Sequence, residues 1–161
     1  MSDQYLMVLR EFVAIAGGDP QHTEVDTEVC FEHDGMLAYF YLHPQEPQLV
    51  VDVEIMQLSE PAAEPRNLER MVLLHQLNSL TRFTHGALVH FSPDQMLVLT
   101  RSYPLESLTG QKVAEQAAEL LDYAANLRAS WDALGQLMAN TLASARAWAG
   151  AGVQASPGQF A

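Results

Sequence analysis

The spacing of apolar residues changes period several times along the chain. Residues 3–16 place apolar side chains at helical spacing, and the Gly17-Gly18-Asp19-Pro20 run then ends the predicted helix. The segment after it alternates between apolar and polar residues, which is typical of strands, and Asp34-Gly35 predicts a tight hairpin turn. The three predicted strands are 25–32, 36–42 and 48–56. The pattern predicts an antiparallel meander with one buried face.

The middle of the chain returns to helical spacing and then to strands. A second helix is predicted from about Asn67 to Arg82. Two further strands, 87–91 and 96–101, flank a turn whose second position is Pro93, where proline presets the backbone angle.

A long final helix is predicted after Thr109, which is a suitable N-cap residue. It continues to about Trp148, and Gly135 marks a candidate break. The order α-β-β-β-α-β-β-α predicts an α+β fold in which helices pack on a twisted antiparallel sheet. We expect residues 1–148 to form a single domain and residues 149–161 to form a flexible tail.

The first helix, the second helix and the second hairpin are more apolar than one core requires. The second helix is apolar nearly all round, and the second hairpin has apolar residues on both faces, including Leu88 and Val98 opposite Val89 and Leu99. A thick core in a monomer is one explanation. A homodimer with further apolar surface for a protein ligand is the other, and we favour it.

Composition narrows the classes of partner. The chain has 161 residues, with 8 Lys+Arg against 20 Asp+Glu, and a net charge of −12. Nucleic acid and anionic membrane surfaces are disfavoured because the few cations are scattered. No apolar run is long enough for a membrane span, and the N-terminus lacks a signal-peptide pattern. The single cysteine, Cys30, favours a reducing cytoplasm.

The sequence contains no convincing catalytic, cofactor or metal motif. Phosphate-loop, dinucleotide-binding and zinc-protease patterns are absent, and the six histidines are dispersed. Glu28 and Glu32 lie on the same strand face as Cys30 and are expected to raise the pKa of its thiol, which argues against a nucleophile. Asp52 and Glu54 fit a solvated strand face better than a catalytic pair. We predict no catalytic, cofactor-binding or metal site.

One central region resembles a known family. Its leucine-rich helix with an Asn near the end precedes two strands around an Asp-containing turn, and a Leu-Pro-Leu-like stretch leads to the last helix. The segments are Met71–Leu80, Gly86–Phe91, Ser92-Pro93-Asp94, Met96–Thr100 and Tyr103-Pro104-Leu105, with Trp131 following. Over roughly residues 1–135 the chain resembles the class I type III secretion chaperones of the CesT or Tir-chaperone type.

The resemblance implies a cytoplasmic homodimer without enzymatic activity. Such chaperones bind an extended segment near the N-terminus of a secreted effector and keep it soluble and secretion-competent without ATP. Effector binding is then expected on the first helix and the first three strands, at Leu6, Leu9, Val13, Val29, Tyr39 and Val51. Dimer contacts are expected at Leu73, Leu77, Leu80, Leu88, His90 and Val98.

Two alternatives remain open at this point. A small acidic α+β enzyme would need a concave pocket with converging acids or histidines, near Asp52, Glu54 or His33. An adaptor or regulator would instead bind a folded cytoplasmic protein rather than an extended segment.

Overall fold

The predicted order of helices and strands is present in the computed structural model, which describes residues 2–19, 28–58, 65–79 and 86–151. The elements are α1 (Ser2–Ile15), β1 (Glu28–His33), β2 (Met36–Leu42), β3 (Gln48–Gln57), α2 (Pro65–Ser79), β4 (Leu88–Phe91), β5 (Met96–Pro104) and α3 (Gly110–Ala151), with a short 3-10 helix at Leu105–Ser107. The α+β fold class is therefore confirmed.

The five strands form one antiparallel sheet in the order β1-β2-β3-β5-β4. Alternate residues of neighbouring strands share a face because the side-chain period of a strand is two. One row of cross-strand partners faces α1 and α3, and we call this side the helix-covered face; four of its residues are buried in the core, and the fifth, Phe31, is partly buried against it. The row is Phe31, Ala38, Val53, Leu99 and Val89.

The opposite side of the sheet is mixed in polarity, and we call it the open face. Its central row is Cys30, Tyr39, Asp52, Thr100 and Leu88. None of these five side chains is buried. The two faces thus differ as the alternation of the sequence predicts for a sheet with one buried side.

Both hairpin turns have the predicted chemistry. Asp34 and Gly35 have positive φ angles of 51° and 72°, as a type I′ turn requires. In the second hairpin the Gln95 amide donates to the Ser92 carbonyl at 3.0 Å, so Pro93 occupies the second turn position.

Helices α1 and α3 approach each other closely at Gly110. A Cβ at this position would lie 2.5 Å from the Glu11 Cβ and 2.5 Å from the Phe12 backbone nitrogen, so only glycine fits. The Gly110 amide donates to the Glu11 carboxylate at 2.7 Å, and the Lys112 amide donates to Thr109 Oγ1 at 3.3 Å. Thr109 is therefore the N-cap, as predicted, and α1 satisfies a further free amide of α3.

The predicted break at Gly135 is wrong, because α3 continues through it. Gly135 instead makes room for Arg70 of α2, whose Nε would lie 2.5 Å from a Cβ there. Arg70 stacks on the Trp131 ring at 5.1 Å and donates to Asp132 at 3.1 Å and to Asn67 at 3.0 Å. The glycine therefore serves the packing of α2 on α3.

The end of α2 is joined to the outer edge of β4 by one side chain. Asn78 Nδ2 donates to the Val89 carbonyl at 2.9 Å, and the Val89 amide donates to Asn78 Oδ1 at 3.2 Å. The side-chain amide thus pairs with β4 as a neighbouring strand would, and it satisfies both backbone groups of Val89.

Some predicted boundaries need correction. The last strand extends to Pro104 and pairs with β3 there, so Tyr103 is a buried strand residue. Helix α2 begins at Pro65, a position where proline is favoured because the first helical amide has no partner. The sequence predicts that residues 149–161 form a tail, but residues 149–151 continue α3. Residues 25–27, 80–82 and 152–161 lie outside the described residues.

We predict that Asn78→Ala lowers the free energy of unfolding by about 1–3 kcal/mol, because it leaves two partly buried backbone groups without a partner. Urea denaturation followed by circular dichroism measures the effect. The control is Gln76→Ala, an exposed position on the same helix. Equal unfolding midpoints for the two variants would contradict the role given to Asn78.

Candidate functional site

A groove opens between α1, α3 and the β1 side of the sheet. Its volume is about 550 Å³, and most of its lining is apolar. The lining residues are Phe12, Ile15 and Ala16 of α1, Phe31, Glu32, His33, Ala38 and Phe40 of the first hairpin, and Ala114, Ala117, Ala118, Leu121 and Asp122 of α3. An apolar concavity of this size is typical of a binding site.

Three phenylalanines form the floor of the groove. The Phe12 ring lies 5.2 Å from the Phe31 ring and 4.6 Å from the Phe40 ring, and Phe31 and Phe40 are 5.8 Å apart. Phe12 and Phe40 are buried, whereas Phe31 is partly exposed. The cluster therefore holds the floor rigidly and presents an aromatic surface beside β1.

The groove remains open because α3 carries small side chains where it faces α1. Ala114, Ala117 and Ala118 lie along this stretch, and larger residues there would fill the space. The contact at Gly110 holds the two helices at a fixed separation at one end. Ile15, at the end of α1, is 46% exposed.

None of the six residues predicted to bind an effector lines the groove. Leu9, Val13 and Val51 are buried within the protomer. Leu6 and Val29 are partly exposed beside the core, and Tyr39 lies on the open face. Effector contact at these positions stays a prediction.

The groove residues themselves carried a sequence signal. Phe12 follows the helical spacing of α1, and Phe31 lies on the apolar side of its strand. Alternation and helical period mark both as inward-facing, but the period does not distinguish a core residue from one that lines an opening. The sequence does not show which of the inward-facing residues a neighbouring helix leaves uncovered.

The open face carries a chain of polar contacts across four strands. Tyr41 donates to Asp52 Oδ2 at 2.8 Å, and Thr100 donates to Asp52 Oδ1 at 2.6 Å. His90 Nε2 lies 2.9 Å from the Thr100 hydroxyl. Burial raises the pKa of the Tyr41 phenol, and the hydrogen bond to Asp52 raises it further.

Polar contacts involve the residues at which a small acidic enzyme would need converging acids or histidines, namely Asp52, Glu54 and His33. Asp52 uses both carboxylate oxygens to bind neighbouring hydroxyl groups, and Tyr39 donates to Glu54 at 3.5 Å. His33 lies at the groove rim, with Nε2 3.7 Å from the Asp34 carboxylate and a largely exposed side chain. Within the described part of the chain, no three His, Cys, Asp or Glu residues are grouped so as to hold a metal ion.

The predicted dimer residues lie around α2 and the second hairpin. Leu88 is 52% exposed, His90 is partly exposed and Val98 is buried on the open face. Leu73 and Leu77 lie on α2, and Leu80 lies outside the described residues. Val72 of α2 is 53% exposed, so α2 and β4 each present an apolar side chain to the surroundings. A role of these residues in dimerisation stays a prediction.

Cys30 has the environment that the sequence predicts. It is exposed on the open face, and burial against the sheet, followed by the carboxylates of Glu28 and Glu54, raises the pKa of its thiol. Glu32 contributes in the same direction. A raised thiol pKa leaves little thiolate at neutral pH, which is unfavourable for a nucleophile.

No helix within the described ranges is both long and apolar enough to cross a bilayer.

Comparison with known proteins identifies the fold. Neither a protein-family model nor a curated protein matches the sequence. Solved structures do match. A chain of the ExsC–ExsE complex has a TM-score of 0.60 at 16% identity, with 79% of this chain and 91% of that chain covered.

Two further structures agree with this result. A chain of the HopA1–SchA chaperone–effector complex has a TM-score of 0.60 at 13% identity, covering 78% of this chain and 93% of its own. The Yersinia pestis type III secretion chaperone SycH, in complex with a stable fragment of YscM2, gives a TM-score of 0.56 at 16% identity, with coverages of 76% and 98%. The chain therefore has the fold of type III secretion chaperones.

We predict that the reaction of Cys30 with iodoacetamide has a higher pH midpoint in the folded protein than in the same chain unfolded in urea, because its pKa is raised by folding. Mass spectrometry of the single cysteine measures the rate. Glu28→Gln is expected to shift the midpoint downward, and Glu106→Gln, at an exposed position elsewhere, is expected to leave it unchanged. A folded midpoint at or below the unfolded one would contradict this.

Proposed function

We propose that the protein is a chaperone that binds an extended segment near the N-terminus of a type III secreted effector. The observation that carries this proposal is the apolar groove beside β1, on a fold shared with type III secretion chaperones. The chaperone keeps the effector soluble and secretion-competent without ATP. It is not an enzyme, and it acts in the cytoplasm.

The groove suits an extended apolar segment rather than a folded domain. Its three walls are two helices and a strand, and β1 pairs only with β2 among the described strands. An extended chain can satisfy its own backbone groups by adding to such an edge and can insert alternate side chains into the adjacent groove. An adaptor for a folded protein would require a broad exposed surface instead.

We also propose that the working form is a homodimer. Leu88 and Val72 are large apolar side chains that are more than half exposed in the protomer, and α2 packs beside β4 through Asn78. A second copy would cover them. Of the other predicted residues, Leu73 and Leu77 lie on α2, Leu80 follows it in the chain, His90 lies on β4, and Val98 of β5 pairs with His90.

Filling the groove is expected to abolish effector binding without unfolding the protein. In Ala118→Trp, an exposed small residue of the groove becomes large, so the indole occupies the space of the ligand. The measurement is co-purification with a secreted protein encoded beside the chaperone gene, after co-expression. We expect a complex with two chaperone copies for the original protein and at least a tenfold lower yield of complex for the variant.

Ala129→Trp is the matched control, because Ala129 is exposed on the same helix and does not line the groove. Limited proteolysis of the bound partner separates the chaperone from an adaptor, since an extended ligand is protected as a short segment. Equal complex yields for the two tryptophan variants would contradict the groove as the effector site.

Dimerisation has its own test. Light scattering is expected to give a mass near twice 17.8 kDa for the original protein. Leu88→Asp is expected to give the monomer mass with unchanged circular dichroism, because a carboxylate without a partner opposes burial at an interface while the side chain is exposed in the protomer. Met7→Asp, on α1 at 63% exposure, is the control. A monomeric original protein would overturn the proposed dimer.

A further inference from the structure

We propose that the effector strand at the outer edge of β1, whose apolar residues enter the groove as in the proposed function, carries two basic residues four positions apart on the face that it shares with Glu28 and Glu32. This inference rests on the proposed function and specifies the chemistry of the ligand. It follows from three features of β1: which of its backbone groups point away from β2, the direction of its side chains and the charges that these side chains carry.

The β1–β2 turn determines which backbone groups point outward. In a two-residue hairpin with a type I′ turn, the flanking residues form a hydrogen-bonded pair, here His33 with Met36. Hydrogen-bonded and non-hydrogen-bonded pairs alternate along the strand. The amides and carbonyls of Glu28, Cys30 and Glu32 therefore point away from β2, toward an added strand.

Strand alternation places the side chains of these residues on the open face and Phe31 on the groove side. Glu32 lies at the edge of the sheet, where it also contributes to the lining of the groove. Ligand residues directly opposite Glu28, Cys30 and Glu32 share that face with them. The ligand residues between these positions project to the other side, over the aromatic floor of Phe12, Phe31 and Phe40. The alternation of the ligand is thus imposed by the edge itself.

The negative charges on β1 determine which ligand residues are favourable opposite Glu28 and Glu32. Glu28 and Glu32 are both exposed, and Glu54 lies in the same cross-strand row as Glu32 through Leu37. Asp122 adds a carboxylate at the groove. Among the described strand residues of the open face there is no Lys or Arg, since Arg101 lies on the helix-covered face and stacks on Tyr103 at 4.9 Å. Arg128 of α3 approaches the β1–β2 turn instead, where it donates to the Asp34 carbonyl at 2.9 Å. Lysine or arginine at both positions of the ligand is complementary, and an acidic residue there is repelled.

Fluorescein-labelled synthetic peptides test this inference with the full-length protein. The first has the sequence Ser-Leu-Lys-Leu-Ser-Leu-Lys-Leu-Ser, which places both lysines on one face and four leucines on the other. The second, Ser-Leu-Leu-Lys-Ser-Lys-Leu-Leu-Ser, has the same composition with the lysines moved to the leucine face. The third replaces both lysines of the first with glutamate. Fluorescence anisotropy measures the three affinities.

The first peptide is expected to bind most tightly. In the double variant Glu28→Gln with Glu32→Gln, its affinity is expected to fall about threefold to tenfold, as two cross-strand charge pairs are lost. The matched control is Asp94→Asn with Glu106→Gln, which removes the same charge at exposed positions of the β4–β5 turn and the 3-10 helix. That control is expected to bind the first peptide with unchanged affinity.

Equal affinities for the first two peptides, or equal losses in the two double variants, would overturn the inference. If Ala118→Trp still blocked effector co-purification in that case, the proposed function would stand and only the ligand pattern would be wrong. Failure of all three peptides to bind, together with an unaffected effector complex in Ala118→Trp, would overturn both.

Discussion

The close approach of α1 and α3 at Gly110 is the constraint on which the rest of the site depends. No side chain fits between the helices there, and the Glu11 carboxylate binds the first amide of α3. Beyond this contact, α1 and α3 both line the groove. The alanines of α3 then leave an opening beside β1 rather than a closed core. A groove thus arises from the separation of two helices whose contact is fixed at one end.

The two faces of the sheet differ in what covers them. Its helix-covered face supplies buried core residues from β2, β3, β4 and β5, Phe31 of β1 packs against them, and the phenylalanine cluster links that core to α1. The open face carries polar side chains, and the Tyr41–Asp52–Thr100–His90 contacts give these side chains hydrogen-bond partners. β1 lies at the edge of both faces, so a ligand strand added there would contact an apolar groove on one side and carboxylates on the other. At the far edge, Arg70 and Asn78 hold α2 against α3 and β4, which leaves Val72 and Leu88 exposed in a defined orientation that suits an interface.

Sequence patterns predicted much of this fold and less of the site. The order of elements, the Asp34-Gly35 turn and the Thr109 cap follow from local rules of spacing and backbone angle, and they are confirmed. Gly135 was misread because a glycine that accommodates Arg70 looks the same in sequence as one that ends a helix. The pattern predicts that the last strand ends at residue 101, before Tyr103. The strand continues to Pro104 because Gln48 and Leu49 of β3 pair with its last residues.

The periodicity of the chain is enough to assign the inward-facing residues, because side-chain direction follows from the period of each element. Leu9 and Val51, which the resemblance places among the effector contacts, follow the apolar period of their elements, and both are buried within the protomer. Which inward-facing residues are covered by a neighbour and which line an opening depends on how the helices pack on the sheet. Phe31 lines the groove because of the distance between α1 and α3, which depends on contacts between residues 99 positions apart in the chain.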